Sequence, residues 1–351
     1  MNQVPSQVDP LAGKLPVTVV TGFLGSGKTT LIRRLLTHPG MNRVAVVINE
    51  IGEIGIDNDL VRMSSENVTL LANGCLCCTV RTDLQETLRE LFGQRRAGQV
   101  ADFDRIVVET TGLADPAPVV QTLVSDTMLA AHYRLDGLVT LVDALNGVSN
   151  IETTPEAQKQ IALADRIIIT KSDLVDDKTL ATLGERIAAV NPRADTVLAV
   201  MGEIDPALLT GLGLASARAG AATLGFLGEG TPSSAAGGSY LGVRLPARHD
   251  SGIRTLSLRF DKPFSWAAFS AAMDMLTTLR GPDLLRVKGI VNVEGKPVVV
   301  QGVQHIFHPP LHLDRWPSED RDTRMVFISR KLDEGVIRGL FAAVGALVPS
   351  D

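Results

Sequence analysis

The stretch best suited to chemistry is residues 22–30, which read GFLGSGKTT. It fits the pattern G-x-x-x-x-G-K-S/T of a phosphate-binding loop, which Gly22 opens. Glycines let backbone N–H groups turn toward phosphate oxygens, and the N-terminus of a following helix adds positive potential. In this pattern Lys28 reaches the β- and γ-phosphate oxygens, and the Thr29 hydroxyl holds Mg²⁺. The sequence therefore predicts a binding site for a nucleoside triphosphate, with Lys28 as a catalytic residue.

Two acidic residues at the ends of predicted strands are candidates for the metal and water chemistry of this site. Glu109 ends the run RIVVE, in a strand expected to lie beside the phosphate-loop strand. A carboxylate there can hold Mg²⁺ through water or position the attacking water. Glu50 also ends a strand and is a second predicted Mg²⁺ ligand, together with Thr29. The alternative for either acid is a solvated loop position.

The tetrapeptide TKSD at residues 170–173 follows another buried apolar run. It resembles the guanine-reading pattern N/T-K-x-D of GTPases. Asp173 can accept hydrogen bonds from guanine N1–H and the exocyclic amine, whereas the unprotonated N1 of adenine would repel it. Such bonds to a charged group contribute about 1.5–3 kcal/mol, enough to select GTP over ATP. Lys171 is predicted to pack along the base, and Thr170 lacks the amide contact that asparagine would make.

All three cysteines of the chain, Cys75, Cys77 and Cys78, lie within four residues. This is no disulfide framework, and in a reducing compartment it indicates metal or redox chemistry. Alternate residues of an extended segment share a face, so Cys75 and Cys77 can converge on one ion, and Cys78 joins them through a local turn. Three thiolates suit tetrahedral Zn²⁺ and leave one position for Glu53 on the preceding acidic loop. A redox pair and buried small hydrophobes are the alternatives.

Apolar, β-branched runs lie before these motifs and predict the strands that position them. Such runs cover residues 16–20, 43–48, 68–71, 105–109, 136–143, 166–170 and 196–200. Helical patterns alternate with them at residues 31–36, 84–95, 155–164 and 177–190, and Thr82 or Asp83 caps the second. This alternation predicts an α/β fold with a doubly wound, mostly parallel sheet that binds ligands at the carboxyl ends of its strands.

The rest of the chain predicts a second, smaller unit. Residues 211–252 are rich in glycine, alanine and serine, which is typical of a flexible linker. Beyond them the order β-α-β-β-β-α predicts a small α+β, ferredoxin-like domain. The predicted division is a disordered tail at residues 1–14, a GTPase domain at 15–210, the linker, and a C-terminal domain at 253–351.

Composition limits the classes of partner. The 351 residues are 45% hydrophobic and 21% charged, as in a globular protein of two domains. A net charge of -5 argues against a nucleic-acid partner. Residues 1–14 contain no signal-peptide core, and no apolar run approaches the roughly 20 residues that span a bilayer. We therefore expect a cytoplasmic protein without a membrane or nucleic-acid partner.

The segments GFLGSGKTT, NEIGEIGID, NGCLCC, ETTGLADP and TKSD together resemble the CobW-type metal-chaperone GTPases of the SIMIBI class of P-loop proteins. The resemblance covers essentially the whole chain, and C-x-C-C is its most specific part. It implies GTP hydrolysis coupled to delivery of a transition metal to a client metalloprotein, with zinc the commonest metal and cobalt an alternative, and a tendency to form homodimers. It assigns phosphate contacts to Gly25, Ser26, Gly27, Lys28, Thr29 and Thr30, metal ligation to Cys75, Cys77 and Cys78, and base recognition to Lys171 and Asp173.

One departure from that family concerns histidine. Many members carry a histidine-rich stretch before the C-terminal domain, where this chain has only His249, so bulk metal storage is not expected. His305, His308 and His312 form the only histidine cluster in the sequence. A packing or interaction role is favoured for it over a second metal site.

The sequence leaves two other functions open. A GTPase that serves cobalamin biosynthesis or activates a metalloenzyme such as nitrile hydratase would have the same site chemistry with a different metal and client. A thiol redox or metal sensor, in which Cys77 and Cys78 pair and the nucleotide is only structural, is the non-enzymatic alternative. Under the favoured hypothesis, loss of the γ-phosphate releases the acidic loop at residues 49–57 and loosens the thiolate site, so that the metal can pass to the client.

Overall fold

The computed structural model describes residues 11–38, 41, 43–49, 62–63, 68–70, 76–79, 83–213 and 252–347. For residues 49, 62–63, 68–70, 76–79 and 345–347 only the backbone is described. These residues form two sheets, one in each half of the chain, with helices packed on them.

The first sheet has nine strands. They are β1 (Leu15–Gly22), β2 (Val44–Asn49), β3 (Arg62–Met63), β4 (Val68–Leu70), β5 (Leu76–Thr79), β6 (Arg105–Thr110), β7 (Tyr133–Asp143), β8 (Arg166–Thr170) and β9 (Asp195–Ala199). Their order across the sheet is β3-β4-β5-β2-β6-β1-β7-β8-β9. In this order the seven strands from β5 to β9 are parallel, whereas β3 pairs with β4, and β4 with β5, in antiparallel fashion. The predicted doubly wound, mostly parallel sheet is confirmed.

Seven helices of the described residues accompany this sheet. They are α1 (Lys28–Thr37), α2 (Leu84–Arg96), α3 (Ala117–Ser125), α4 (Thr127–His132), α5 (Gly147–Thr153), α6 (Pro155–Leu163) and α7 (Asp177–Val190). Asp83, one of the two predicted caps, accepts a hydrogen bond from Gln85 N at the start of α2. The short helices α4 and α5 were not predicted, because six or seven residues give too little periodicity to separate a helix from a loop, and α3 was not predicted although it is as long as α6.

Helices cover both faces of the sheet, which explains the continuous apolar strands. In β6, Ile106 and Val108 belong to the core beneath α2, α3 and α6, while Val107 belongs to the core beneath α1. Successive strand residues point to opposite faces, so a strand covered on both sides needs an apolar residue at every position. The carboxyl ends of β1, β6, β7 and β8 meet at one edge, where the polar motifs begin.

The second sheet is antiparallel. Its strands are β10 (Ile253–Phe260), β11 (Leu284–Val293), β12 (Lys296–Val303), β13 (Ile306–Phe307), β14 (Leu311–His312) and β15 (Thr323–Arg330), and its helices are α8 (Trp266–Arg280) and α9 (Glu334–Leu347). The order is β10-β15-β11-β12-β13, with β14 also paired to β12. The helices pack on one face around a core that includes Phe269, Phe327 and Phe341. The predicted smaller α+β unit is confirmed, and its predicted limits remain predictions.

A buried ionic cluster joins the two units. Arg286 of β11 donates to Leu163 O at 2.7 Å and to the carboxylate of Asp165, and Lys288 Nζ lies 2.5 Å from Asp165 Oδ1. The side chains of Asp165 and Arg286 are 2% and 3% exposed. Burial alone would raise the pKa of Asp165, but the charges of Arg286 and Lys288 outweigh it and hold that pKa below 3.8. The C-terminal unit is therefore bound to the junction between α6 and β8 through these contacts.

Within the described part of the chain, no helix combines the length and the apolar composition that a membrane crossing requires.

Candidate nucleotide-binding site

The phosphate loop leaves β1 at Gly22 and enters α1 at Lys28. A Cβ on Gly22 would lie 2.5 Å from Leu141 O and 2.7 Å from Ser26 Oγ, so only glycine fits where the loop passes β7. Gly27 lies in the left-handed region at φ 89° as the N-cap of α1. The loop is thus held close to the sheet, with its backbone at the start of a ten-residue helix.

Lys28 extends back over the loop that precedes it. Its Nζ donates to Gly22 O at 2.8 Å and to Phe23 O at 3.2 Å, and the residue is 9% exposed. These two carbonyl oxygens place the ammonium group within the concave side of the loop. A phosphate bound there would meet a positive charge that is already positioned.

Glu109 and Thr29 lie close together, as the sequence predicts for neighbouring strands. Glu109 pairs in register with Val20 of β1, and Thr29 Oγ1 donates to Glu109 Oε1 at 3.5 Å. Glu109 is 5% exposed. A hydroxyl and a carboxylate oxygen are the hard ligands that Mg²⁺ takes, so the residues present fit that ion. Glu50, the other predicted Mg²⁺ ligand, lies outside the described residues.

The TKSD segment is brought against the phosphate loop. Thr170 Oγ1 donates to Ser26 O at 2.8 Å, so the first residue of the motif ties β8 to the loop. Lys171 has φ 56°, a left-handed conformation that turns the chain into a short 3₁₀ turn where Asp173 is exposed. The structure therefore places the predicted base-reading residues at the same edge as the predicted phosphate contacts, which remain predictions as nucleotide ligands.

Asp143 is a functional candidate that the sequence reasoning missed. It ends β7, is 3% exposed, and accepts a hydrogen bond from Lys171 Nζ at 2.8 Å. Burial acts to raise the pKa of Asp143, but bonds from Lys171, Asn146 and Leu145 N more than offset it and lower that pKa. Asp143 thus fixes Lys171 beside the expected base. The available signal was an acid at the carboxyl end of a parallel strand, the position that singled out Glu109.

Two further loops at this edge were not predicted to contribute. A Cβ on Gly112, in the loop after β6, would lie 2.9 Å from Leu24 N and Cα, so this loop packs directly on the phosphate loop. After β9, Arg34 Nε donates to Met201 O at 3.4 Å, which holds the residue 201 turn against α1. Both loops are recognisable only once the strand order is known.

The predicted zinc site is only partly within the described residues. Cys75 and Glu53 lie outside them, while Cys77 and Cys78 are in β5, where their backbone pairs with Val46 and Val47 of β2. Among the described residues there is no group of three or more histidine, cysteine, aspartate or glutamate side chains able to hold a metal ion. The zinc site stays a prediction.

The three clustered histidines do not form such a group. His305 and His312 are exposed. His308 is partly exposed as a residue, but its Nε2 is buried and has no hydrogen-bond partner within the described part of the chain. Burial, assisted by the nearby charge of Arg286, lowers the pKa of His308 to about 4. It is therefore neutral at pH 7 and packs beside the ionic cluster.

Comparisons with known proteins cover both halves of the chain. Residues 16–198 match the family described as CobW/HypB/UreG, nucleotide-binding domain, and residues 253–344 match the cobalamin synthesis protein CobW C-terminal domain. The zinc chaperone YjiA of Escherichia coli is 34% identical over 94% of this chain and 98% of its own length. The zinc chaperone CobW of Pseudomonas aeruginosa is 34% identical, over 92% and 90% respectively. The crystal structure of Zn(II)-bound YjiA GTPase from E. coli matches with a TM-score of 0.70 at 31% identity, covering 94% of this chain and 99% of that one.

Proposed function

Because this chain belongs to the CobW family, it is a GTPase, and we propose that it uses GTP hydrolysis to deliver Zn²⁺ to a client metalloprotein. The relatives named zinc chaperones support the metal and the delivery role. The observation that carries the proposal is the convergence of Lys28, Glu109 and Thr170 at one edge of the sheet that also contains the cysteine strand β5.

The proposed hydrolysis gives each candidate residue a role. Lys28 neutralises charge on the β- and γ-phosphates, and Glu109 orients the attacking water or a metal-bound water. Lys171 and Asp173 select guanine, with Asp143 holding Lys171. Thr29, Glu109 and Glu50 would hold Mg²⁺, which when bound offsets the negative charge that develops on the phosphates.

The cargo site is proposed to be the thiolates of Cys75, Cys77 and Cys78, with Glu53 as the fourth ligand. Zinc is favoured and cobalt is the alternative. An incomplete protein shell suits a metal that must leave by ligand exchange. The proposal places this exchange in the cytoplasm and includes the homodimer that the family resemblance implies.

The route from phosphate to metal follows the strand order. β2 lies between β6, which carries Glu109, and β5, which carries Cys77 and Cys78. Asn49, at the end of β2, pairs with Thr110, directly after Glu109. The acidic loop that contains Glu53 continues from Asn49. The segment that supplies the proposed fourth zinc ligand thus begins beside the residue that follows Glu109. A change at the γ-phosphate would therefore have a short path to that segment.

The test is reciprocal linkage between the two ligands. We expect zinc to bind with a different affinity in the presence of a non-hydrolysable GTP analogue than in the presence of GDP, by about 5- to 150-fold if the coupling is typical. Zinc must then change the affinity for the analogue by the same factor. Cys77→Ala should abolish stoichiometric zinc and leave GTP binding intact. If neither ligand alters the binding of the other, the coupling is wrong.

Asp173→Asn tests the assignment of the base. The amide of asparagine would donate toward the guanine amine instead of accepting from it, whereas xanthine offers a carbonyl oxygen there. We expect kcat/KM for GTP to fall by about 10- to 100-fold, the equivalent of about 1.5–3 kcal/mol, and XTP turnover to appear. Asp177→Asn, an exposed acid in the first turn of α7, is the matched control. An unchanged preference for GTP over ATP and XTP would contradict the assignment.

A further inference from the structure

A glutamine on α6 reaches the loop that follows β6. Gln160 is 1% exposed, and its Nε2 donates to Gly112 O at 3.1 Å and to Ala114 O at 3.0 Å. Its own backbone oxygen accepts from Thr140 Oγ1 of β7 at 2.8 Å. One fully buried amide therefore connects the loop to a helix that is itself tied to the central sheet.

The loop held by Gln160 is part of the phosphate edge. It begins directly after Glu109 and Thr110, and Gly112 is in close contact with Leu24 of the phosphate loop. The backbone between residues 111 and 116 thus lies beside the place where the terminal phosphate of a bound nucleotide would project. The position of this loop relative to that phosphate therefore depends on the contacts that the loop makes with α6.

The two hydrogen bonds from Gln160 resist movement of the loop. Both N–H donors of a buried amide are directed at loop carbonyl oxygens, so a shift of the loop would leave two donors and two acceptors unpaired. The adjacent Lys159 adds a second contact from the same helix, with its Nζ 2.5 Å from Asp115 Oδ2. That pair is partly exposed and contributes less, so Gln160 is the main constraint.

We propose that Gln160 is a positioning residue for GTP hydrolysis, which sets the loop at residues 111–116 against the phosphate loop. The inference rests on GTP hydrolysis but not on zinc delivery. The side-chain hydrogen bonds of Gln160 go to Gly112 O and Ala114 O, whereas Lys28 and the TKSD segment carry the contacts proposed to be common to GTP and GDP. Loss of the Gln160 amide therefore acts on catalysis and on the recognition of the γ-phosphate, and leaves GDP binding unchanged.

The experiment compares Gln160→Met with Gln158→Met. Methionine preserves the length of the side chain but cannot donate to the two carbonyls. Gln158 is on the same helix, and its amide donates to Ile151 O at 2.6 Å, away from the loop. We expect kcat to fall by about 10- to 100-fold in Gln160→Met, as for a small misplacement of a reacting group, with GDP affinity as in the wild type. Gln158→Met should retain wild-type kcat.

A second variant gives a readout that a purely structural role would not produce. In Gln160→Glu an ionised carboxylate faces two carbonyl oxygens, whereas the protonated acid can donate to one of them. Its kcat relative to wild type should therefore recover as the pH falls, and this variant also serves if Gln160→Met fails to fold. Wild-type kcat in Gln160→Met, equal losses of GDP affinity and kcat, or a pH-independent defect in Gln160→Glu would overturn the proposal. Failure of zinc linkage would leave it standing, while absence of GTP hydrolysis in the wild type would refute the GTPase assignment itself.

Discussion

Lys28→Ala is expected to lower the rate constant for GTP hydrolysis by about 10²- to 10³-fold, the loss typical when one preorganised donor to a developing charge is removed. The ammonium group is held in advance by Gly22 O and Phe23 O. No reorganisation is needed when charge develops on the phosphate oxygens. Alanine removes the charge and also leaves the two loop carbonyls without this donor, so the affinity for both nucleotides should fall as well.

Single-turnover release of phosphate measures this effect without interference from product release. Lys14→Ala is the matched control, because Lys14 also donates to a backbone carbonyl, Ala130 O at 2.6 Å, but lies before the opposite end of β1. Lys28→Arg should be nearly as inactive, since the longer, planar guanidinium does not fit the same pair of carbonyls. Hydrolysis by Lys28→Ala at a rate close to the wild type would show that the loop does not cradle the transferred phosphate.

Arg286→Met is expected to cost about 3 kcal/mol of unfolding free energy, within the range of about 3–5 kcal/mol for removing one partner of a buried ion pair. Asp165 would keep Lys288 and the backbone N–H of Leu138 as partners, which limits the loss. It would nevertheless hold a buried negative charge with less compensation. Both tryptophans, Trp266 and Trp316, lie in the C-terminal unit, so their fluorescence during urea unfolding reports the unit that Arg286 belongs to.

The same cluster predicts a dependence on pH. The folded-state pKa of Asp165 is below its ordinary value of 3.8, so its ionisation contributes stability that is fully present above 3.8 and is lost as the pH falls through the lower folded value. In Arg286→Met this folded-state pKa rises toward 3.8, so the part of the unfolding free energy that is lost on acidification should be smaller than in the wild type.

Two comparisons make the Arg286 result decisive. Arg259→Met removes a mostly exposed arginine paired with Asp320 and Asp322, and should barely change the urea midpoint. Adding Asp165→Asn to Arg286→Met should restore part of the loss, because it removes the charge left without its partner. A wild-type unfolding curve for Arg286→Met at pH 7 would mean that the cluster does not join the two units energetically.

The elements could be predicted because their signals are local. The buried strands carry continuous apolar runs, such as residues 106–108 and 167–169, and α7 was predicted at the residues where it is found. The phosphate loop is defined by consecutive residues, so Gly22, Lys28 and Thr29 could be assigned to it before any contact was known. The helices α4 and α5 were missed because six or seven residues are too few for a periodic signal, and their form depends on packing against neighbours.

What the sequence by itself determined is the set of residue types in each segment: a phosphate-loop motif, a tetrapeptide predicted to read guanine, an acid at the end of a strand, and three clustered thiols. What only the tertiary structure decided is which distant groups hold those segments in place. Asp143 and Lys171, Gln160 and Gly112, and Asp165 and Arg286 are separated by 28, 48 and 121 residues. In the sequence nothing indicates which partner each of these residues contacts in the fold. A buried hydrogen bond or ion pair is created only when the fold removes water from both partners, and no local pattern records that event.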